Sequence, residues 1–201
     1  MERRDVLAGK TALVTGGARG LGKMTALLLA ELGCHVAVNY VHSEREAMEL
    51  VDRIRQTGVQ SVAIRADIAA PEGAKRMAEE ARERFGTELD IVVNNAGPFR
   101  RERRRFADYT EEEIEELVQA NLLGVMRLDR HVIPGMRKKG WGRIIHFGFG
   151  RSGEARGWPH RAVYAAAKVG LVSFTKTLAV EEAAFGITVN MVCPGDIRGP
   201  Y

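Results

Sequence analysis

Residues 15–22 read Thr-Gly-Gly-Ala-Arg-Gly-Leu-Gly, and this stretch decides the fold. The apolar run Thr11–Thr15 (TALVT) leads into it as a strand, and Gly20–Leu32 follows with apolar residues at helical spacing. Glycines permit a tight turn and let backbone amides approach a pyrophosphate, while a helix N-terminus favours negative charge. The sequence therefore predicts a strand, a phosphate-binding loop and a helix, although the spacing is Gly-x-x-x-Gly-x-Gly rather than Gly-x-Gly-x-x-Gly. A plain glycine-rich surface turn is the alternative, and the position directly after a strand disfavours it.

The rest of the chain repeats this alternation of short apolar runs and longer amphipathic ones. Five further strands are predicted, at His35–Tyr40, Gln60–Arg65, Leu89–Asn94, Arg143–Phe147 and Ile187–Val192. Further helices are predicted at Ser43–Thr57, at Pro71–Phe85, from Thr110 to about Lys138 with a kink at Pro134, and at Ala162–Phe185. Strands that alternate with helices in this way form βαβ units. We expect a single doubly wound α/β (Rossmann) domain over residues 1–201, with a mostly parallel sheet of six strands.

Ligands of such sheets bind at the carboxyl ends of the strands, where the strand order reverses. An acid at the end of the second strand would bind the ribose hydroxyls of NAD, but residues 39–43 read Asn-Tyr-Val-His-Ser. Arg19 lies inside the glycine loop and can meet a 2′-phosphate, so we expect NADP rather than NAD. Asp67 follows the third strand and is either an acceptor for the adenine amino group or an ordinary turn residue.

Tyr164 and Lys168 are four residues apart in a predicted helix and therefore share one face. A phenol has a pKa of about 10 and is a poor acid at neutral pH. An ammonium one turn away stabilises phenolate, so we expect Lys168 to lower the pKa of Tyr164 and prepare it for proton transfer to a carbonyl. A Tyr/Lys pair at this spacing is common by chance, so it indicates a catalytic site only in combination with the glycine loop.

Asn121 lies in the middle of the longest predicted helix, in the run QANLLG. Asparagine is a mediocre helix former, and a buried one needs hydrogen-bond partners. We expect it to open the helix locally and hold a water, the alternative being a polar residue at the helix edge. Thr110 and Glu113 fit a capping box at the start of this helix.

Taken together, these motifs occur in the order typical of one family. They are Thr15–Gly22, Asn94–Gly97 (NNAG), Asn121, Tyr164-Ala-Ala-Ala-Lys168 and Pro194-Gly195. Over nearly all its length the chain resembles the short-chain dehydrogenase/reductases, and it looks most like their NADP-using 3-oxoacyl-carrier-protein reductase branch. The resemblance implies an NADP-dependent oxidoreductase that interconverts a carbonyl and an alcohol, with a homo-oligomeric assembly, either a dimer or a tetramer.

The resemblance also implies roles for individual residues. Tyr164 would be the general acid/base, Lys168 would bind the nicotinamide ribose and tune Tyr164, and Asn121 would anchor a water in a proton relay. The implied cofactor-binding set is Gly16, Arg19, Gly20, Leu21, Gly22, Asp67, Asn94, Ala96, Gly97, Lys168, Pro194 and Gly195. No metal is required for this reaction.

The family's catalytic serine is not found at its usual place after the fifth strand. Counting back from Tyr164 gives Arg151, and counting forward from Gly142 gives Phe149, because the segment is two residues longer than the family pattern. Ser152 is the hydroxyl between strand and Tyr164, and we expect it to fold back within hydrogen-bonding reach of the Tyr164 hydroxyl or of a bound carbonyl. Arg151 acting as a cation, or His146, remain open as substitutes.

The C-terminus is the second departure from the family pattern. The family continues beyond the position of Tyr201 with a substrate loop, a seventh strand and part of the oligomer interface. Either these 201 residues belong to a longer protein or those parts are absent, and in both cases we expect the domain seen here to be C-terminally incomplete relative to the family. The missing serine and the shortened substrate region favour a second interpretation, a catalytically weak or inactive NADP-binding sensor or scaffold.

Composition excludes several other classes of protein. The 201 residues are 45% hydrophobic and 28% charged, with two cysteines, as in an ordinary globular protein without a disulfide framework. No apolar run suggests a membrane helix and no N-terminal signal is visible, so a cytoplasmic location is the default. The net charge of +4 equals the sum of five arginines and one glutamate at residues 100–105. That run is a solvated loop, a subunit contact or a dock for an anionic partner, and it does not indicate a nucleic-acid binder.

Overall fold

The structure, a computed structural model, describes residues 6–99 and 102–195. Within these ranges six strands form one sheet. They are β1 (Thr11–Val14), β2 (His35–Tyr40), β3 (Ser61–Arg65), β4 (Ile91–Asn94), β5 (Gly142–Phe147) and β6 (Ile187–Val192). The strand order is β3-β2-β1-β4-β5-β6, and every neighbouring pair is parallel. The predicted doubly wound α/β fold is confirmed.

The strand order reverses between β1 and β4, which lie side by side at the centre of the sheet. The loops that leave these two strands therefore diverge at their carboxyl ends and open a crevice there. Residues 15–22 follow β1 and residues 95–99 follow β4. The topology thus brings the glycine loop and the Asn-Ala-Gly run to the same place.

Helices connect the strands and cover the sheet. They are α1 (Gly20–Glu31), α2 (Glu44–Arg55), α3 (Gly73–Phe85), α4 (Glu111–Val118), α5 (Gly124–Lys139) and α6 (Ala162–Glu182). Thr110 caps α4 in the expected capping box with Glu113. The helix predicted from Thr110 to about Lys138 is interrupted by a π-helical turn at Gln119–Leu123 rather than at Pro134. Helix α5 is a single helix with Pro134 inside it.

Alternate strand residues pack on opposite faces of the sheet, as the period of two in a strand requires. One face packs against α3, α5 and α6 through Leu13, Val92, Ile144, Met77, Leu128 and Leu171. The other packs against α1 and α2 through Val14, Val36, Val38, Leu29, Leu50 and Ile54. These two apolar layers fix the strands, and the strands in turn fix the loops at their carboxyl ends.

A buried polar chain crosses the first of these layers. His146 of β5 lies with Nε2 2.8 Å from Asp129 Oδ2 of α5 and Nδ1 2.7 Å from Thr175 Oγ1 of α6. Asn94 of β4 donates to Asp129 Oδ1 at 2.8 Å, and the Thr175 hydroxyl donates to the Leu171 carbonyl at 2.6 Å. His146 therefore faces helices in the interior and is not available as a substitute for the family serine.

Helix α6 and the turn after it, Ala162–Phe185, are by length and composition apolar enough to cross a membrane. The sequence analysis did not expect such a helix. A third (33%) of its most apolar window is buried in the fold, and the buried side carries Lys168 and Glu182. Because α6 packs on the sheet and holds charged groups on its inner side, we interpret it as a core helix of the α/β domain.

Part of the arginine run is used inside the fold, and its first two arginines lie outside the described residues. Arg104 contacts the carboxylates of Glu102 and Glu113 at 2.9 and 2.6 Å. Glu113 also closes the capping box of α4, so Arg104 ties the loop after β4 to the start of that helix. This arginine is thus a structural contact rather than a free cation for a partner.

Candidate active site

The glycine loop makes a close backbone turn at the N-terminus of α1. Gly16 and Gly20 have φ of +59° and +56°, which residues with a Cβ rarely adopt. A Cβ on Gly22 would overlap the Gly16 carbonyl oxygen and lie 2.7 Å from Asn95 Nδ2. The loop therefore depends on glycine for its conformation at two positions and for close packing at a third, as a backbone cradle for phosphate does.

Two asparagines hold this loop to the neighbouring strands. Asn39, at the end of β2, accepts from the Gly16 amide at 3.1 Å and donates to the Ala66 carbonyl at 2.8 Å. Asn95 donates through Nδ2 to the carbonyls of Thr15 and Gly16 at 2.9 and 3.1 Å. These amides fix the loop after β1 to the end of β2, to the residue after β3 and to the loop after β4.

A pocket of about 520 Å³ opens beside the glycine loop. Its walls come from the glycine loop, from the loops after β4, β5 and β6, and from α6. The lining residues are Leu21, Asn95, Gly97, Phe99, Phe147, Gly148, Phe149, Trp158, Tyr164, Lys168, Pro194 and Gly195. It therefore lies at the carboxyl ends of the central strands, where the topology places a ligand.

Tyr164 and Lys168 lie on the pocket side of α6. The Lys168 ammonium donates to the Phe147 carbonyl at 2.8 Å and lies 5.9 Å from the centre of the Tyr164 ring. Burial raises the pKa of Tyr164 above its ordinary value and lowers the pKa of Lys168 to about 8. The expected lowering of the pKa of Tyr164 is therefore wrong for this structure, because burial of the phenol raises it. At neutral pH the phenol carries its proton.

Asn121 lies at the centre of the π-helical turn and is fully buried. Its Nδ2 donates to the carbonyls of Leu117 and Pro98 at 3.0 and 3.1 Å. Its Oδ1 has no hydrogen-bond partner within the described part of the chain. A Cβ on Gly97 would overlap this Oδ1 and lie 3.5 Å from Lys168 Nζ. The expected opening of the helix is observed, and it directs an unpaired carbonyl oxygen toward the pocket lysine.

The arrangement just described agrees with what related proteins show. A family model described as short chain dehydrogenase matches residues 10–201. The chain belongs to the short-chain dehydrogenase family. As an enzyme of this family it carries out nicotinamide-dependent oxidoreduction on small molecules.

Individual relatives of this short-chain dehydrogenase share most of its length. A Bacillus subtilis (strain 168) protein named as an oxidoreductase, YtkK, is 47% identical over 189 residues, covering 94% of this chain and 73% of that protein. The 3-oxoacyl-[acyl-carrier-protein] reductase FabG of Staphylococcus epidermidis is 41% identical, covering 94% of this chain and 75% of the relative. The crystal structure of a short chain dehydrogenase from Burkholderia cenocepacia J2315 in complex with NADP has a TM-score of 0.87 and 35% identity, over 96% of this chain and 76% of that one.

Several predicted cofactor-binding residues of the dehydrogenase line the pocket. Leu21, Gly97, Lys168, Pro194 and Gly195 do so directly. The expectation for Asn94 is wrong for its side chain, which is buried against Asp129, and Asn95 lines the pocket in its place. The period of two in β4 explains this, because it puts Asn94 on the same face as Val92. Ala96 lies between Asn95 and Gly97 in the chain, and its amide donates to Thr15 Oγ1 at 2.9 Å.

Arg19 and Asp67 lie outside the pocket, at the edges of the glycine-loop region. Arg19 is exposed at the N-terminus of α1 and makes no ion pair with any residue that the structure describes. Asp67 is exposed, and its Oδ1 accepts from the Ala69 amide at 2.9 Å. That contact is the turn interaction named as the alternative for Asp67, and its role toward adenine stays a prediction.

The segment after β5 differs most from expectation. Ser152 is buried, and its hydroxyl lies 3.2 Å from Cys193 Sγ and 4.0 Å from Met191 Sδ. It makes no hydrogen bond to Tyr164 in the described structure, because the loop turns its serine toward β6, so that half of the expectation is wrong and its reach to a bound carbonyl stays a prediction. Phe149 lines the pocket and Arg151 is exposed, so the pocket position found by forward counting is occupied by a phenylalanine.

Sequence reasoning missed most of the aromatic part of the site. Phe99, Phe147, Phe149 and Trp158 all line the pocket, and forward counting had identified Phe149 alone. Phe147 ends a predicted strand, and that position is the signal that could have identified it, whereas Phe99 lies five residues after the strand Leu89–Asn94. Trp158 gave no such signal, since it lies in a loop between β5 and α6.

Proposed function

We propose that the chain is an NADP-dependent oxidoreductase that transfers a hydride between nicotinamide and a carbonyl or alcohol substrate, with Tyr164 as general acid/base. One observation carries the proposal: Tyr164 and Lys168 of α6 line the same pocket as Leu21 of the glycine loop and Pro194-Gly195 after β6. A proton donor and a dinucleotide cradle thus meet in one cleft.

The residues around the crevice fit a dinucleotide. The positive-φ glycines and the tight approach of Gly22 to Gly16 leave backbone amides at a helix N-terminus, where a pyrophosphate binds. The proposed cofactor set is Gly16, Arg19, Gly20, Leu21, Gly22, Asp67, Asn95, Ala96, Gly97, Lys168, Pro194 and Gly195. When bound there, NADPH supplies the hydride and leaves as NADP+.

The choice of NADP over NAD rests on charge at the end of β2. Asn39 occupies the end of that strand as a neutral side chain engaged with the glycine loop, and no acid follows before Glu44. Arg19 presents an exposed guanidinium at the same loop, with no carboxylate paired to it among residues 6–99 and 102–195. A cation without a neighbouring carboxylate favours a 2′-phosphate over a free hydroxyl.

In the reduction direction Tyr164 gives its phenolic proton to the substrate oxygen while the carbonyl carbon gains the hydride, so that a ketone becomes an alcohol. The phenol carries this proton at neutral pH, since its pKa lies above its ordinary value. Lys168 holds a positive charge one turn away and stabilises the phenolate that remains. The unpaired Oδ1 of Asn121, next to Gly97 and Lys168, supports the proposal that a water there returns a proton to the site.

The test is turnover of a panel of ketones with NADPH, followed by the loss of NADPH absorbance, with Tyr164→Phe as the matched inactive variant. Reduction of at least one ketone by the unaltered chain, and its loss in Tyr164→Phe, supports the proposal. NADPH binding without turnover of any ketone or alcohol would favour the second candidate, a weak or inactive NADP-binding sensor or scaffold. The observation behind that candidate is Phe149 at the pocket, with Ser152 turned toward Cys193.

The proposal includes a homo-oligomer, as most short-chain dehydrogenases of this kind form. Val180, on the outward side of α6, is 79% exposed and is a candidate residue for a subunit contact. Sedimentation velocity of the full chain measures the assembly directly.

A further inference from the structure

Three aromatic side chains, Phe99, Phe149 and Trp158, surround the ring of Tyr164, and we name them the aromatic cluster. The Phe99 ring meets the Tyr164 ring edge-on at 5.1 Å, and Phe149 and Trp158 lie 6.0 and 6.2 Å from it. Within the cluster, Trp158 lies 4.8 Å from Phe149 and is stacked on Phe99 at 6.0 Å. The ring of Tyr164, the proposed proton donor, therefore packs among three aromatic rings.

The cluster comes from two different loops. Phe99 follows β4 and precedes the residues outside the described range, while Phe149 and Trp158 belong to the segment between β5 and α6. Arg161, nearly buried, lies with its guanidinium 5.1 Å from the Phe99 ring and donates to the Glu102 carbonyl. Arg161 thus joins the start of α6 to the loop after β4 that carries Phe99.

The cluster keeps a large apolar area open. Phe99 is 45% exposed and Trp158 37% exposed, although Phe99 contacts two other rings and Trp158 contacts three. Both line the pocket that holds Tyr164. Exposed aromatic area that lines a concave site beside a proton donor is the area that a ligand covers.

The chemistry of the pocket walls selects a flat, apolar ligand. Aromatic rings prefer offset-stacked or edge-to-face partners with centroids 4.5–7 Å apart, about the spacing already present within the cluster. A puckered saturated ring or a flexible acyl chain buries area there but gains no such pairing. Among the described lining residues the charged side chain is Lys168, which is committed to the Phe147 carbonyl, so the walls offer little to a strongly polar substituent.

We propose that the pocket selects ketones in which the carbonyl is attached to a planar aromatic ring or lies in a ring fused to one. Phe99 and Trp158 are the specificity-determining residues. The ring packs against the cluster and the carbonyl oxygen faces the Tyr164 hydroxyl. The proposal rests on the proposed function, since it names the substrate class of that same site.

The experiment compares two bicyclic ketones of the same skeleton, β-tetralone, which has one aromatic ring, and trans-2-decalone, which is saturated. The kcat/KM for NADPH-dependent reduction should favour β-tetralone by about tenfold, mainly through KM, because stacking adds to simple burial. Trp158→Leu and Phe99→Leu should each reduce this ratio at least threefold. Trp158→Phe keeps a ring and should retain most of it. Phe185→Leu removes an aromatic of similar exposure outside the pocket and should leave the ratio unchanged.

A second measurement separates this proposal from the proposed function. Calorimetric titration of both ketones in the presence of NADP+ gives their dissociation constants without any reduction. Tighter binding of β-tetralone, lost in Trp158→Leu, supports the aromatic site even where turnover fails. Equal affinities and equal kcat/KM for the two ketones, or a ratio that the cluster variants leave unchanged, would overturn it. Loss of all turnover with the aromatic preference intact would instead count against the proposed function alone.

Discussion

The loop after β1 and the loop after β5 line the same pocket but are built by different means. The first is a glycine turn held by the amides of Asn39 and Asn95. The second carries aromatic side chains and turns through residues with a Cβ in the left-handed region, Arg151 at φ +64° and Ala155 at +50°. The loop after β1 thus forms a backbone wall of the pocket, and the loop after β5 forms a side-chain wall. We infer that the first serves a cofactor common to many enzymes and the second a particular substrate.

Tyr164 stands between the two walls, and its hydroxyl should matter only for the chemistry. Tyr164→Phe is expected to lower turnover by about 10²–10⁴-fold, the range for loss of a general acid. NADPH affinity should stay within about twofold, because the ring still packs and only the proton is lost. Single-turnover rates and fluorescence titration measure the two quantities. Turnover at the unaltered level in Tyr164→Phe would refute the assignment of the acid.

One added methyl group should disrupt the glycine loop that forms the backbone wall. Gly22→Ala places a Cβ against the Gly16 carbonyl, and overpacking of this kind costs about 1–3 kcal/mol in the free energy of unfolding. NADPH affinity should fall by about tenfold or more for the same reason.

Gly153→Ala is the matched control for that variant, because a Cβ at Gly153, in the loop after β5, has no neighbour within 4 Å. Urea denaturation and NADPH titration should distinguish the two alanines. If both variants behaved alike, the proposed difference between the loops would be wrong.

Cofactor preference should depend on the charge at the tip of the first loop. Arg19→Ala should weaken NADPH binding by about tenfold, the loss of one charge-assisted hydrogen bond, and leave NADH binding unchanged. Lys23→Ala removes an exposed cation four residues along α1 and serves as the control. Equal affinities for NADPH and NADH in the unaltered chain would contradict the choice of NADP.

The ammonium of Lys168 should set an upper pH limit for reduction. Its pKa is lowered by burial to about 8, so the charge is present below that pH and is lost as pH rises through it. We expect kcat/KM for ketone reduction to be constant at lower pH and to fall with a midpoint near 8. In Lys168→Arg the charge persists, so any remaining activity should lack this midpoint. The same midpoint in both proteins would assign the titration to another group.

The smallest effect is expected from the serine of the second loop. Ser152→Ala should change turnover by less than about threefold, because the hydroxyl faces Cys193 and Met191 rather than Tyr164. A loss of about 100-fold, the usual effect of removing an oxyanion donor, would show that the loop rearranges when a substrate binds. Parallel melting curves separate a stability effect from a catalytic one.

The fold and the backbone wall could be predicted from sequence because their requirements are local. Alternation of strand and helix fixes the parallel sheet, and glycine spacing marks the turn that follows β1. The burial of Asn94 was also within reach, since alternation from Val92 directs its side chain inward. The exchange with Asn95 arose from applying a family pattern without that alternation.

The side-chain wall could not be predicted, because it depends on how distant loops pack. Nothing near Ser152 in sequence specifies that its hydroxyl meets Cys193, 41 residues away. The meeting of Phe99 with Trp158 likewise needs the loops after β4 and β5 to be in place. The pKa of Tyr164 follows the same rule, since helical spacing gave the neighbour Lys168 but not the desolvation that outweighs it.

The buried hydrogen bonds around His146 fix the register of β5 in the sheet. The Thr175 hydroxyl gives its one proton to the Leu171 carbonyl, so toward His146 it can only accept, and Nδ1 must carry a hydrogen. Nε2 then faces Asp129 Oδ2 at 2.8 Å. A slip of β5 by two residues would keep its apolar face inward, yet it would take His146 away from the buried Asp129 Oδ2, at about 1–3 kcal/mol for a buried polar group left unsatisfied. The strand is therefore held in register by hydrogen bonding where apolar patterning alone would permit two positions.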